Sequence, residues 1–296
     1  MSGLHLPIVR TAAELRAQVR RWRADGERVG LVPTMGALHE GHLSLLRRAR
    51  DGAGKVVASL FVNPTQFAPN EDFAAYPRDE GADADLLASV GCDLLYAPSV
   101  AEIYPAGFAT TVSVSGVSAP LEGEARPGHF SGVATVVAKL LIQAEPDLAV
   151  FGEKDFQQLL VIRALVRDLD LPVEIVGAPT VREVDGLARS SRNAYLSEPE
   201  REVAGAINRA LKAAADALAA GARVDRVEAE GRAALLAAGF GQVDYFAVRG
   251  AGDLGELAPG PIGAEARVLA AARIGRTRLI DNIAVETGAV TRPRAP

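Results

Sequence analysis

The chain has 296 residues, of which 49% are hydrophobic and 23% charged, as is typical of a folded protein of one or two domains. Its formal net charge of −5, with 32 Lys and Arg against 37 Asp and Glu, argues against binding to nucleic-acid phosphates. Since the single cysteine excludes an intrachain disulfide and no apolar run of about 18 residues occurs, we expect a cytoplasmic protein with no nucleic-acid and no membrane partner.

The first part of the chain alternates strand-like and helix-like segments. Nearly continuous apolar runs predict buried strands, and apolar residues at helical spacing predict helices. In chain order the predicted segments are strand 28–32, helix 42–50, strand 55–62, helix 79–90, strand 93–96, helix 133–143, strand 148–151, helix 157–169 and strand 173–176. The alternation predicts an α/β fold in which right-handed crossovers build a parallel sheet covered on both faces.

The pattern changes near Pro179. The segments predicted beyond it are hairpin 181–187, helices 198–220 and 224–237, and strands 242–248, 267–272 and 276–281. The three short strands predict a smaller, antiparallel sheet. We therefore expect a first domain over residues 1–183 and a smaller α/β domain over residues 184–296, with a disordered tail at 288–296.

A loop bracketed by glycines joins the strand predicted at 28–32 to the helix that follows it, and it contains His39 and His42. An open parallel sheet binds ligands at the carboxyl ends of its strands, where this loop lies. Gly36 and Gly41 allow the backbone to approach a ligand closely, and the N–H groups at the start of a helix favour an anion. Two of the chain's four histidines stand together here, so both imidazoles can face one phosphate and stabilise charge on its oxygens.

Other interpretations of His39 and His42 fit the sequence less well. His39 alone is compatible with a structural loop histidine. A metal site needs a third or fourth His or Cys ligand at the usual spacing, which the sequence lacks. The segment is not a phosphate-binding loop of the G-x-x-x-x-G-K-[ST] type, and no G-x-S-x-G motif indicates a hydrolase. The H-x-G-H tetrad therefore favours transfer of a nucleotidyl group.

Two further polar loops follow predicted strands of the same sheet. Asn63-Pro64-Thr65-Gln66 follows one strand, and Gln66 offers both a donor and an acceptor to a hydroxy acid. Gly152-Glu153-Lys154-Asp155 follows another, where the point charge of Lys154 suits a triphosphate. As bare tetrapeptides, residues 63–66 and Ser190-Ser191-Arg192-Asn193 are equally compatible with ordinary polar turns.

The H-x-G-H tetrad after a strand resembles the nucleotidyltransferase superfamily, and the longer string Pro33-Thr34-Met35-Gly36-Ala37-Leu38-His39-Glu40-Gly41-His42 is similar to the pantothenate synthetase family. Four further strings follow in that family's order: 61–67, 122–133, 151–158 and 190–193. The resemblance runs from about residue 8 to residue 282. It implies a Rossmann-like nucleotide-binding domain with a smaller α/β cap domain, and a homodimer joined through the N-terminal domains.

The resemblance also implies a reaction. A ligase of this family uses ATP to condense pantoate with β-alanine, through a pantoyl adenylate and with release of AMP and pyrophosphate. ATP with Mg²⁺, pantoate and β-alanine are therefore the implied small-molecule partners. By position, the implied catalytic residues are His39, His42 and Lys154. Gln66 is implied to bind both pantoate and β-alanine, and Gln158 to bind pantoate.

The implied ATP contacts are spread over several segments. They are Met35, Gly36, Ala37, Leu38, His39, Glu40, Gly41, His42, Gly152, Glu153, Lys154, Asp155, Val181, Arg189, Ser190, Ser191 and Arg192. Arg189 stands where the family usually has an apolar residue, so only its backbone is implied to bind. Asp83 matches a position near the Mg²⁺ of bound ATP and is the implied metal ligand. Glu122, Arg126 and His129 fit the site or a structural ion-pair network equally well.

Three rival hypotheses stay open on the sequence. They are a cytidylyl- or adenylyltransferase on the same fold, a tRNA-binding synthetase fragment, and a non-catalytic nucleotide sensor. The second predicts a basic appendage, whereas residues 184–296 are not conspicuously basic. Release of AMP that depends on both pantoate and β-alanine separates the ligase from all three.

Overall fold

The computed structural model describes residues 6–67, 73–74 and 76–286. The chain divides into two compact units, Met1–Val181 and Arg182–Pro296, close to the boundary predicted after residue 183. The tail predicted to be disordered, 288–296, lies outside the described residues. Each unit has its own sheet and its own hydrophobic core.

The first unit contains a parallel sheet of six strands. They are β1 (Ile8–Val9), β2 (Val29–Thr34), β3 (Lys55–Leu60), β4 (Leu94–Tyr96), β5 (Leu148–Gly152) and β6 (Glu174–Ala178). Their order across the sheet is β1-β4-β3-β2-β5-β6, and every neighbouring pair is parallel. Leu31, Val57 and Ala149 on the central strands have no exposed surface, as their nearly continuous apolar runs predict.

Helices cover both faces of this sheet. They are α1 (Ala12–Ala24), α2 (Glu40–Arg50), α3 (Glu80–Ser89), α4 (Val100–Ile103), α5 (Glu122–Ala125), α6 (His129–Ala144) and α7 (Phe156–Asp168). On one face Leu45 of α2 packs in a cluster with Val32 and Ala58. On the other face the hydroxyl of Tyr96 donates a 3.0 Å hydrogen bond to Gln143 of α6.

The second unit combines three antiparallel strands with three helices. They are α8 (Glu198–Ala204), α9 (Ala206–Ala219), α10 (Val224–Ala237), β7 (Gln242–Gly250), β8 (Ala266–Ile274) and β9 (Thr277–Val285). The prediction of one helix over 198–220 is wrong, because the chain turns at Gly205 between α8 and α9. A Cβ atom on Gly205 would lie 2.6 Å from Oδ2 of Asp185, so a side chain at the break would have to displace that carboxylate.

The two sheets confirm the predicted α/β class, with a parallel sheet in the first unit and a smaller antiparallel sheet in the second. Since β3, β2 and β5 are parallel neighbours, their carboxyl ends lie at one edge of the sheet. The loops with the three polar motifs, 35–39, 61–67 and 153–155, begin at that edge. Within the described ranges, no helix has both the length and the apolar character needed to cross a membrane.

Candidate active site

The β2–α2 loop, residues Met35 to Leu38, has an unusual backbone conformation. Gly36 and Ala37 both have positive φ, 88° and 51°, a region that glycine enters freely and that costs other residues about 1 kcal/mol or more. Asp83 of α3 holds this conformation. Its Oδ2 accepts a hydrogen bond from the N–H of Ala37 at 3.0 Å, and its Oδ1 accepts one from the N–H of Leu38 at 2.8 Å. A carboxylate distant in sequence thus sets the shape of the loop.

The start of α2 fixes the two histidines. His39 is the N-cap residue, and its Nδ1 accepts a hydrogen bond from the N–H of Gly41 at 3.1 Å. Nδ1 of His42 accepts one from the N–H of His39 at 3.3 Å, and the two ring centroids lie 4.1 Å apart. Because both Nδ1 atoms accept, each neutral ring carries its proton on Nε2. Both imidazoles therefore offer an Nε2–H donor, the tautomer that binds a phosphate oxygen.

The charge state of His42 is set by burial and by its neighbours. Burial, followed by the repulsion that a protonated His42 would meet from a protonated His39 and from Lys154, lowers the pKa of His42 to about 3. Its ring is therefore neutral at pH 7 and acts as a hydrogen-bond donor rather than as a cation. Lys154 lies in the 3₁₀ turn Glu153–Asp155 directly after β5. The charge of Lys154 thus acts on His42 across the sheet edge, and the catalytic roles of His39, His42 and Lys154 stay predictions.

Gln66 ends the 3₁₀ turn Pro64–Gln66 that follows β3, and its amide has a defined orientation. Nδ2 of Asn63 donates hydrogen bonds to Oε1 of Gln66 at 3.0 Å and to the carbonyl of Gly132 at 3.1 Å. Nε2 of Gln66 donates to Sδ of Met35 at 3.0 Å, in the β2–α2 loop. Asn63 therefore turns the donor end of Gln66 toward that loop. Sequence reasoning missed this role of Asn63, and its position just after a buried strand is the signal that identifies it.

Arg126 and His129 support the backbone of Gln66. Nδ1 of His129 lies 2.9 Å from the carbonyl oxygen of Gln66, and Nη2 of Arg126 donates to the same oxygen at 3.3 Å. A carbonyl only accepts and a guanidinium only donates, so His129 is protonated on Nδ1 and its Nε2 accepts from Nη1 of Arg126 at 3.1 Å. Arg126 also lies 3.8 Å from a carboxylate oxygen of Glu122. The network of structural contacts is thus present, and it ends on a predicted substrate-binding residue.

Two adjacent glutamines in the first turn of α7 have different environments. Gln157 is buried, and its side-chain oxygen accepts a hydrogen bond from the N–H of Glu122 at 3.1 Å. Its Nε2 donates to the carbonyls of Val117 and Pro120 at 2.9 and 2.7 Å. Gln157 therefore holds the segment before α5. Gln158, the predicted pantoate ligand, is half-buried at the next position.

The predicted polar segment 190–193 belongs to the second unit. Oγ of Ser190 accepts a hydrogen bond from the N–H of Arg192 at 3.3 Å. Nη2 of Arg189 pairs with Oε2 of Glu183 at 3.1 Å, which agrees with limiting its implied ATP contact to the backbone. All the implied ATP contacts stay predictions, those of residues 35–42 and 152–155 as well as those of Val181, Arg189, Ser190, Ser191 and Arg192.

The structure brings several of the predicted site residues of the first unit together. His42 is affected by the charge of Lys154, and Gln66 contacts the β2–α2 loop through Met35. No group of three His, Cys, Asp or Glu residues suited to a metal ion occurs in the described part of the chain. Both oxygens of Asp83, the implied metal ligand, accept from backbone amides instead. Two neutral donors and a cation beside an oriented amide suit nucleotidyl transfer to a small polar acid.

Known proteins resemble this chain over nearly all of its length. Residues 7–284 match the family described as pantoate-beta-alanine ligase. The pantothenate synthetase of Caulobacter vibrioides is 64% identical over 279 residues, which cover 94% of this chain and 98% of the relative. That of Rhodospirillum rubrum is 60% identical over 280 residues, which cover 95% of this chain and 99% of the relative.

Solved structures agree with these sequence matches. Pantothenate synthetase from Thermus thermophilus has a TM-score of 0.89 and 51% identity, with 95% of this chain and 99% of that chain covered. Pantoate-beta-alanine ligase from Francisella tularensis, complexed with beta-gamma ATP and beta-alanine, has a TM-score of 0.79 and 35% identity, with 96% and 99% covered. The range matched by the family contains every motif from Pro33 to Asn193, so the resemblance inferred from those motifs is confirmed. The chain belongs to the pantoate-beta-alanine ligase family.

Proposed function

We propose that the chain uses ATP to condense pantoate with β-alanine, forming pantothenate, AMP and pyrophosphate through a pantoyl adenylate. The observation that carries this function is the pair of Nε2–H donors on His39 and His42 beside Lys154, with the Gln66 amide turned toward the same loop. The relative from Francisella tularensis is complexed with beta-gamma ATP and beta-alanine, which supports two of the three substrates.

In the first step a carboxylate oxygen of pantoate attacks the α-phosphorus of ATP. The bond from that phosphorus to the bridging oxygen of pyrophosphate breaks, and negative charge grows on the phosphoryl and pyrophosphate oxygens. His39 and His42 donate hydrogen bonds from Nε2 to these oxygens, and the ammonium of Lys154 offsets their charge. Such donors are effective because their hydrogen bonds to the α2 backbone hold them in place before the reaction begins.

In the second step the amine of β-alanine attacks the acyl carbon of pantoyl adenylate. The bond from the acyl carbon to the AMP oxygen breaks, and the amine nitrogen loses a proton as the amide forms. No enzyme nucleophile is needed, because adenylation has already converted a poor leaving group into a good one. Gln66 binds both acids, with its Nε2 donor facing the β2–α2 loop, and Gln158 binds pantoate.

Mg²⁺ is proposed as part of the substrate, MgATP. This ion needs few protein ligands when phosphates and water supply the rest. Within the described residues no cluster of three His, Cys, Asp or Glu side chains occurs, so the phosphates and water would supply most of the ligands of this ion.

We also propose a homodimer formed through residues 111–115 of the first unit. Thr111, Ser113 and Ser115 are exposed and Val112 and Val114 are half-buried, the two-residue alternation of a β-strand. No strand within the described residues pairs with this segment. The N–H and the carbonyl of Val112 bond Oγ1 of Thr135 at 3.0 and 3.4 Å, so the alternate residues Thr111 and Ser113 are the ones that would pair with a second chain. Light scattering should give about twice the chain mass of 30.9 kDa. Val114→Pro should give the monomer mass, and a monomeric wild-type protein would remove the proposal.

A cytoplasmic location is proposed as well. ATP is the substrate, and Cys92 is a buried free thiol that forms no disulfide. Recovery of the untagged protein with the soluble cytoplasmic fraction of its own cells is the expected result.

AMP release tests the ligase function directly. Purified protein is supplied with ATP, pantoate and β-alanine, and each substrate is omitted in turn. We expect AMP and pantothenate in equal amounts, and AMP turnover only when all three are present. Turnover without β-alanine points to a nucleotidyltransferase on the same fold. ATP binding without any turnover points to a nucleotide sensor.

A further inference from the structure

Asp83 is a buried carboxylate whose two oxygens both bind the β2–α2 loop. It is 3% exposed, and it accepts hydrogen bonds from the N–H groups of Ala37 and Leu38 at 3.0 and 2.8 Å. A Cβ atom on Gly36 would lie 3.0 Å from its Oδ2. The carboxylate therefore packs against three consecutive residues of the loop, and burial raises its pKa while the two N–H groups oppose that effect.

The β2–α2 loop depends on such support. Ala37 has a φ of 51°, which an alanine does not favour, so the loop needs contacts that hold it there. Hydrogen bonds to an ionised carboxylate are among the strong ones available to a backbone. Leu38 leads directly into His39, whose backbone N–H binds Nδ1 of His42. A shift of the loop would therefore move both imidazoles.

We propose that Asp83 is a positioning residue that fixes His39 and His42 through the β2–α2 loop, and that it is not a ligand of Mg²⁺. This inference rests on the function proposed above. A hydrated Mg²⁺ keeps several waters and needs an accessible oxygen, whereas Asp83 is almost fully enclosed. The neighbouring carboxylate of Asp79 caps α3 by accepting from the N–H of Ala82 at 3.0 Å. The two acidic side chains thus stabilise backbone rather than forming an ion site.

Asp83→Asn tests this role, because it keeps the size of the side chain and replaces one acceptor with a donor. One of the two loop amides then faces an N–H group, and the loop shifts. We expect kcat/KM for ATP to fall by about 10- to 100-fold, the cost typical of a small misplacement of catalytic groups. The Mg²⁺ concentration for half-maximal rate at saturating ATP should stay within about twofold of the wild-type value. Asp85→Asn, exposed on the same helix, is the matched control and should behave as wild type.

A second variant separates loop geometry from metal binding. Ala37→Gly in the Asp83→Asn background should recover part of the lost kcat/KM, because glycine adopts the positive φ at residue 37 without strain. Recovery of activity by excess Mg²⁺ or Mn²⁺, with none from Ala37→Gly, would overturn the proposal in favour of a metal ligand.

If the variants do not fold, amide hydrogen exchange in the wild-type protein tests the same proposal. The N–H groups of Ala37 and Leu38 should be protected without Mg²⁺, and adding Mg²⁺ alone should leave that protection unchanged. Fast exchange at both positions would overturn the proposal. This readout needs no turnover, so failure of the AMP assay would count against the ligase function and not against the role of Asp83.

Discussion

Acidification should destabilise the first unit through His42. In an unfolded chain a histidine has a pKa of about 6.5, whereas burial lowers the pKa of folded His42 to about 3. Below pH 6.5 the unfolded state takes up a proton that the folded state does not bind. This group therefore lowers the free energy of unfolding as the pH falls from about 6.5 toward 3, and has no such effect above that range. At pH 5 the linkage relation gives a loss of about 2 kcal/mol.

Urea unfolding at pH 7 and pH 5 measures this loss. Trp22 is the single tryptophan and lies in α1 of the first unit, so its fluorescence reports on the unit that contains His42. His42→Asn is the control, because the asparagine oxygen can accept the N–H of His39 as Nδ1 does and does not titrate. Other acidic and basic groups are the same in both proteins, so their effects cancel in the difference. Equal losses in the two proteins would refute the assignment of a neutral His42 with a lowered pKa.

Three further changes test other parts of the site. Lys154→Met should lower the rate of pantoyl adenylate formation, measured by rapid quench, by about 10²- to 10³-fold; an unchanged rate would exclude its role at the phosphates. Asn63→Ala should raise the KM for pantoate by about tenfold and leave the KM for ATP within about twofold. The change removes the hydrogen bond to Oε1 of Gln66, so the amide of Gln66 is no longer held in one orientation. Gly132→Ala should lower stability by about 1–3 kcal/mol, since its Cβ atom would lie 2.3 Å from the carbonyl oxygen of Thr65. Gly81→Ala, at an exposed position of α3, is its control and should raise stability by up to about 1 kcal/mol.

The parallel sheet was predictable because its strands are short apolar runs with polar loops at one end. That signal is local, and it is enough to locate the loops of His39, Gln66 and Lys154 from the sequence alone. The boundaries of the helices were harder to predict from the sequence. The apolar spacing of α6 begins at Val133, whereas the helix begins at His129. Its first turn makes polar contacts to the segment around Gln66, and it buries Phe130 outside the regular apolar spacing.

The contacts that fix the site were not predictable, because they join residues far apart in the sequence. An aspartate in a polar helix such as α3 is expected to be exposed, yet Asp83 is buried and binds the backbone of the β2–α2 loop. The same limit applies to the break at Gly205, where composition favours helix and the carboxylate of Asp185, distant in sequence, lies close to the glycine. Hydrogen-bond orientation adds a further limit. The tautomers of His39 and His42 follow only from which backbone amides their Nδ1 atoms accept.

The neutral tautomers of His39 and His42 determine how the site stabilises the negative charge that grows on the phosphate oxygens. A second cation next to Lys154 would be costly in the free protein, and the same repulsion helps to keep the pKa of His42 low. A bound triphosphate opposes that effect, but the pKa of about 3 in the free protein lies far below pH 7. Charge at the phosphorus is thus met by fixed neutral donors and one ammonium. We therefore expect the overall rate to rise between about pH 6 and 9 for a reason other than titration of His42. The amine of β-alanine attacks only when it is unprotonated, and its unprotonated fraction increases over this range.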